Sequence, residues 1–176
     1  MKAMKRLLLV LPALAGAAAL SPVLGQSALK GHNSDAPVDV AADRIEVQDR
    51  ADRAVLSGNV VVRQAELTMT SARLTVAYSS AGGIQIERLD ASGGVTVKSP
   101  TETARGRFAI YDLQKRIITL IGGVSLIRGA SHVNGGRLVL DLDTGRAVLD
   151  GGGGRGTTGG DGGRVSGTFT VPKRGG

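Results

Sequence analysis

Apolar and polar residues alternate with a period of two along most of the chain from Val38 to Asp150. Val38 and Val40 open the pattern, and Ile45 and Val47 alternate with Arg44 and Glu46. Val60, Val62, Met69, Leu74, Val76 and Tyr78 carry it to a first serine- and glycine-rich turn at Ser79–Gly83. Ile86, Val95, Val97, Phe108 and Ile110 lead to a second turn at Asp112–Lys115, and Leu120, Val124, Leu138 and Leu140 to a third at Asp143–Gly145. Alternation of this length predicts strands with one buried and one wet face, with these apolar residues inside. The turns fit hairpin loops. Outside the first thirty residues no stretch carries a 3.6-residue period, so little or no helix is expected.

The pattern repeats. Aligned on an arginine, the phrase begins at Arg44, Arg73, Arg107 and Arg137, separated by 29, 34 and 30 residues. Each copy runs to a glycine corner at Gly58, Gly93, Gly122 and Gly151, separated by 35, 29 and 29. A fixed period marks stacked units, each too small to bury its own apolar face. Glycine between two alternating runs marks a bulge or sharp bend. If every unit bends at the same place, the product is all-β: a flattened two-walled roll, or β-jellyroll, of repeated antiparallel hairpins, open at its ends, with the alternating apolar residues between its walls. The recurring arginines should face away from that interior.

Composition sharpens this picture. Aromatic residues are almost absent, so the interior is aliphatic and fills a wide space poorly. The segments divide the chain into residues 1–25, a flexible lead-in 26–37, the repeat 38–150, a glycine-rich linker or loop 151–163 and a C-terminal edge strand and tail 164–176. Lys2, Lys5 and Arg6, the apolar run Leu7–Leu20 and the small residues before Gln26 have the make-up of a cleaved export signal. The apolar run is shorter than the roughly 20 residues of a membrane span. Without that signal's three cations, 19 basic residues face 15 acidic ones, and +7 becomes +4. The charges are interspersed and lack aromatic partners, which argues against nucleic acid. The last alternating run, with Val165, Phe169 and Val171, either closes the chain's own roll or pairs elsewhere.

The sequence carries no catalytic constellation. The chain has no cysteine. His32 and His132 have no second histidine or carboxylate at metal-ligand spacing and read as exposed structural residues, so no metal or cofactor is expected. Asp141 and Asp143 flank a turn; Ser57, Ser92 and Ser125 lack a histidine partner; the glycine-rich tract lacks the Lys-Ser/Thr of a phosphate loop. An exported glycan-active enzyme would need paired carboxylates in a cleft. A polysaccharide-binding β-repeat would need exposed aromatics. The sequence favours neither, and a non-enzymatic role is expected.

The phrases Ala42–Val47 and Ala54–Val60, with Ala72-Arg73-Leu74 and Leu120–Val124, resemble the OstA-type domain of the lipopolysaccharide-transport proteins. Val38–Val47 followed by Leu56–Gln64 is the most specific part, and Arg164–Lys173 is similar to what closes some members. A signal-cleaved single domain resembles the LptA type, rather than the membrane-anchored LptC or outer-membrane LptD types. The resemblance implies a periplasmic β-jellyroll whose hollow takes lipopolysaccharide acyl chains, lined by the interior residues named above. It also implies LptC-like and LptD-like partners at the two membranes and head-to-tail self-association. Val38, Val40, Ile45, Val47, Val165, Phe169 and Val171 are then the expected assembly edges, because edge strands offer unpaired amides. An LptC-like anchored adaptor is the alternative within the family.

Overall fold

A computed structural model of the chain describes residues 31–152 and 163–170. The proposed export signal, most of the glycine-rich tract and Val171 lie outside the described residues. Ten strands form one antiparallel sheet: β1 (Asp39–Ala41), β2 (Arg44–Gln48), β3 (Arg53–Gln64), β4 (Leu67–Ser79), β5 (Gln85–Lys98), β6 (Glu102–Asp112), β7 (Ile117–Arg128), β8 (Ser131–Asp141), β9 (Arg146–Asp150) and β10 (Ser166–Thr168). β3 to β8 pair consecutively; β1 and β2 both pair with β3, and β9 and β10 both pair with β8. The terminal strand therefore closes its own roll, with Gly167 opposite Val133.

Every pairing among β3 to β8 shifts register near mid-strand, at Ser57/Val60, Thr70/Arg73, Ser92/Val95, Arg105/Phe108 and Ile121/Val124. The odd strands spend two residues there, both left-handed: Gly58-Asn59 (φ 76 and 46), Gly93-Gly94 (83 and 83) and Gly122-Gly123 (87 and 60). Only glycine, or an asparagine anchored by its side chain, holds this conformation cheaply. Asn59 is so anchored, donating from Nδ2 to Asp43 Oδ2 at 2.9 Å. Gly93 and Gly122 also pack against the neighbouring strand, and Gly58 against Asp43 in the β1–β2 connection. A Cβ at Gly93 would lie 2.7 Å from the Ala72 Cβ, and one at Gly122 would lie 2.9 Å from Arg107 Nε.

The aligned bends divide the sheet into two walls joined along a spine. The first holds β2, the outer halves of β3 to β8, and β9; the second holds β1, their other halves, and β10. Buried residues from both walls form one core. From the first come Leu56, Leu74, Val76, Leu89, Ala109, Tyr111, Ile118, Leu120, Leu138 and Leu140. From the second come Val60, Val62, Leu67, Met69, Val95, Val97, Ala104 and Val124. Burying a leucine or valine of this kind contributes roughly 1.5–3 kcal/mol, so the walls hold each other without help from helix or disulfide. The all-β, two-walled roll expected from the repeat is the fold observed.

Two expected interior positions lie outside. Phe108 and Ile110 are 51% and 39% exposed, while Ala109 and Tyr111 between and beyond them are 1% exposed. The register explains why. Arg44, Ser57, Arg73, Ser92, Phe108, Ile121 and Arg137 form one cross-strand row. Phe108, not Arg107, therefore occupies the place of the recurring arginine, and Arg107 is the single β6 residue facing the Gly93-Gly94 bulge. The true spacing is 29, 35 and 29 (44 to 73, 73 to 108, 108 to 137). A shift of one residue exchanges the two faces of a strand. Arg44, Arg73, Arg107 and Arg137 are all exposed, as expected.

Candidate lipid groove and assembly edges

Of the expected interior set, Val60, Val62, Met69, Leu74, Val76, Val95, Val97, Leu120, Val124, Leu138 and Leu140 are buried between the walls. Ile86 is half-buried against the same core. Tyr78 is half-buried at the end of β4, where its hydroxyl meets Asp49 Oδ1 at 3.3 Å. The interior is closely packed here. One void of about 10 Å³ lies between the walls, lined by Val97, Ser99, Glu102, Ala104, Leu126 and Leu140, about enough for a single water. Any lipid held between the walls must displace wall-to-wall contacts.

Ile45 and Val47 differ from the rest. They pair with Leu56 and Ala54 and so belong to the inner face, yet they are 53% and 60% exposed. β1 and β2 end the sheet, and among the described residues nothing pairs with their outer sides. The opposite end is similar. Phe169, whose ring lies beside Val133 on the inner-face side of Gly167, is 69% exposed, while Val165, 44% exposed, precedes β10 and lines a hollow at the spine with Ile121 and Asn134. Val38 and Val40, on the second wall's edge, are half-buried against the core. Among the described residues, both ends of the interior therefore present apolar side chains beside strand edges with unpaired main chain.

The rim opposite the spine, where the hairpin ends of the two walls face each other, is bridged by polar groups. Tyr111 on the first wall donates its hydroxyl hydrogen to Gln64 Oε1 on the second at 2.6 Å. Gln64 Nε2 donates to the carbonyls of Ser34 at 2.8 Å and Ala36 at 3.0 Å. His32 Nε2 lies 3.3 Å from the same Oε1 and its side chain is only 2% exposed. Arg116 clamps the lead-in from outside, reaching Asp35 at 2.9 Å and Asp143 at 3.1 Å. Burial pushes the Tyr111 hydroxyl above the ordinary tyrosine range, so it stays neutral and donates. Residues 31–37 of the lead-in, expected to be flexible, form a strap across the rim, and His32, expected to be exposed, is one of its buried anchors. Its partner Gln64 lies 32 residues away, and no short-range motif announces that pairing.

Among the described residues no three of His, Cys, Asp and Glu cluster as metal ligands, and no helix is long and apolar enough to cross a membrane. Asp141 accepts the backbone N–H groups of Asp143 at 3.1 Å and Thr144 at 2.9 Å, which makes it the organiser of its turn.

Comparison with known proteins agrees with this architecture. Residues 39–146 match the model of the family described as LptA/(LptD N-terminal domain) LPS transport protein. An uncharacterized protein of Rhizobium meliloti is 33% identical over 119 residues, which span 64% of this chain and 64% of that protein's length. The fold matches the crystal structure of LptH, the LptA homologous periplasmic component of the lipopolysaccharide transport device of Pseudomonas aeruginosa. That match has a TM-score of 0.68 at 20% identity and covers 80% of this chain and 99% of the other. With more than half of its residues matched by the family model, this chain belongs to the LptA/LptD N-terminal domain family of lipopolysaccharide-transport proteins.

Proposed function

We propose that this chain is a non-enzymatic periplasmic carrier and bridge that holds lipopolysaccharide acyl chains between its walls and passes them along successive copies toward the outer membrane. The observation that carries this reading is the pair of uncovered inner-face edges, Ile45 and Val47 at one end and Phe169 at the other. A closed core protein has no use for apolar inner faces beside unpaired strand edges. Two such ends, on opposite sides of one sheet, fit an edge-to-edge join in which one roll's interior continues into the next. An LptC-like partner at the inner membrane and an LptD-like partner at the outer membrane would complete the row. Export, with cleavage before Gln26, places the chain between them.

The energetics favour transfer rather than storage. A 12–14-carbon acyl chain gains on the order of 10 kcal/mol gross, at about 0.8 kcal/mol per buried methylene. Because the empty walls pack on each other, separating them offsets part of that gain. The net affinity is the difference between two apolar contacts, and an aliphatic lining makes the exchange easy. Identical copies bind equally, so direction comes from an energy source outside the chain.

Purified chain starting at Gln26, titrated with labelled lipopolysaccharide, should saturate at one lipid per copy and release it to an unlabelled second copy. Lipopolysaccharide that fails to bind would remove the carrier reading and leave only an adaptor acting through its edges.

A further inference from the structure

The outer faces of the two walls differ in kind. On the second wall, the central row reads Val61, Thr70, Thr96, Arg105, Ser125 and Asn134, an ordinary wet strand surface. On the first wall, Phe108, Ile110 and Ile121 stand together: Phe108 opposes Ile121 directly, and Ile110 lies two residues along the same strand. They are 51%, 39% and 39% exposed, a concentration of apolar surface in a chain with few large side chains to spare. Arg73 shares a shallow depression of about 390 Å³ with all three, and Arg107 flanks Phe108 at the bulge.

Charge decides what this surface suits. Among the described residues, neither Arg73 nor Arg107 makes a salt bridge. The nearby carboxylates are engaged elsewhere: Glu46, close enough to feel the charge of Arg73, with Arg44 at 3.7 Å and Gln48 at 2.9 Å, Asp90 with Arg88 at 3.0 Å, and Asp150 with Arg137 at 3.8 Å. An apolar centre with guanidinium groups beside it that form no ion pair of their own matches the boundary of an anionic bilayer, where rings and branched chains enter the acyl region and arginines meet phosphates. An acidic protein partner would satisfy the arginines but would not need the phenyl ring and two isoleucines.

We propose that the outer face of the first wall docks on an anionic lipid surface, with Phe108, Ile110 and Ile121 entering its apolar boundary and Arg73 and Arg107 contacting lipid phosphates. This contact lies outside the walls and does not depend on whether lipid enters between them.

The test is co-sedimentation of the chain starting at Gln26, which holds every described strand, with phosphatidylglycerol–phosphatidylcholine vesicles and with pure phosphatidylcholine. Preferential binding to the anionic vesicles, weakened by salt, is expected. The double variant Phe108→Ser with Ile121→Ser should lower that binding by about tenfold or more. Arg73→Gln with Arg107→Gln should remove the preference for anionic lipid, while Thr70→Gln with Thr96→Gln on the other wall should change nothing. These side chains reach solvent, so unchanged circular dichroism should accompany each loss. Absent binding, or binding that neither double variant alters, would overturn the proposal. So would a lipid-free dimer dissociated by the serine variant, because the face would then join copies of the chain.

Discussion

Gly93→Val is expected to destabilise the roll by about 3–5 kcal/mol, combining left-handed strain with overpacking. Gly93 has φ +83, which a β-branched residue resists, and its Cβ would fall 2.7 Å from that of Ala72 on β4. Relief requires moving either the bend or the neighbouring strand, and the bend is shared with the adjacent copies of the repeat. Gly94→Ala separates the two causes. Gly94 also has φ +83 but opens onto empty space, so only backbone strain of about 1–2 kcal/mol applies. Thermal unfolding followed by circular dichroism should place the valine variant roughly 10 °C below the parent, with the alanine variant between them. Equal losses would mean that contact between strands contributes nothing to the bend.

The second large effect concerns assembly. Alternate residues of a strand donate to opposite sides, so of Ile45→Pro and Glu46→Pro one removes an N–H aimed at β3 and the other an N–H aimed outward. The outward variant should keep the fold, because β2 lies at the sheet's edge. It should also lower head-to-tail association by tenfold or more, since a lost main-chain bond and a disturbed strand edge each weaken the join by about 1 kcal/mol. Sedimentation velocity at increasing concentration reads this directly. Association unchanged in both variants, with Val47→Asp also silent, would mean that the rolls do not join through β2.

Much of the architecture was legible in the residues. Period-two alternation gave the strands, and the Gly58-Asn59, Gly93-Gly94 and Gly122-Gly123 pairs gave the bends, because left-handed backbone leaves its mark in residue type. The phase of β6 was hidden. Arg107 and Phe108 are adjacent, either could be aligned with Arg73, and only pairing with Ser92 and Ile121 decides between them. That single step moved Phe108 and Ile110 outside and Ala109 and Tyr111 inside. The strap was equally hidden, since a glutamine, a tyrosine and a histidine scattered over 31–111 meet only when the walls close. Period two also cannot say how much of an inner face is covered. Ile45 and Val47 have the alternation of core residues, and their exposure follows from ending the sheet. Close wall-to-wall packing was not legible either, because an aliphatic lining suits an empty groove and a packed core alike.

The central claim is that lipid lies between the walls. A photoreactive residue at Val76 or Leu140, on the inner face, or at Val47, at the uncovered edge, tests it against Thr70 and Thr96 on the second wall's outer face. After incubation with lipopolysaccharide and irradiation, crosslinks should form from the first three positions and not from the last two. Crosslinks from Thr70 and Thr96 as strong as from Val76 and Leu140, or none from the inner positions, would contradict the account.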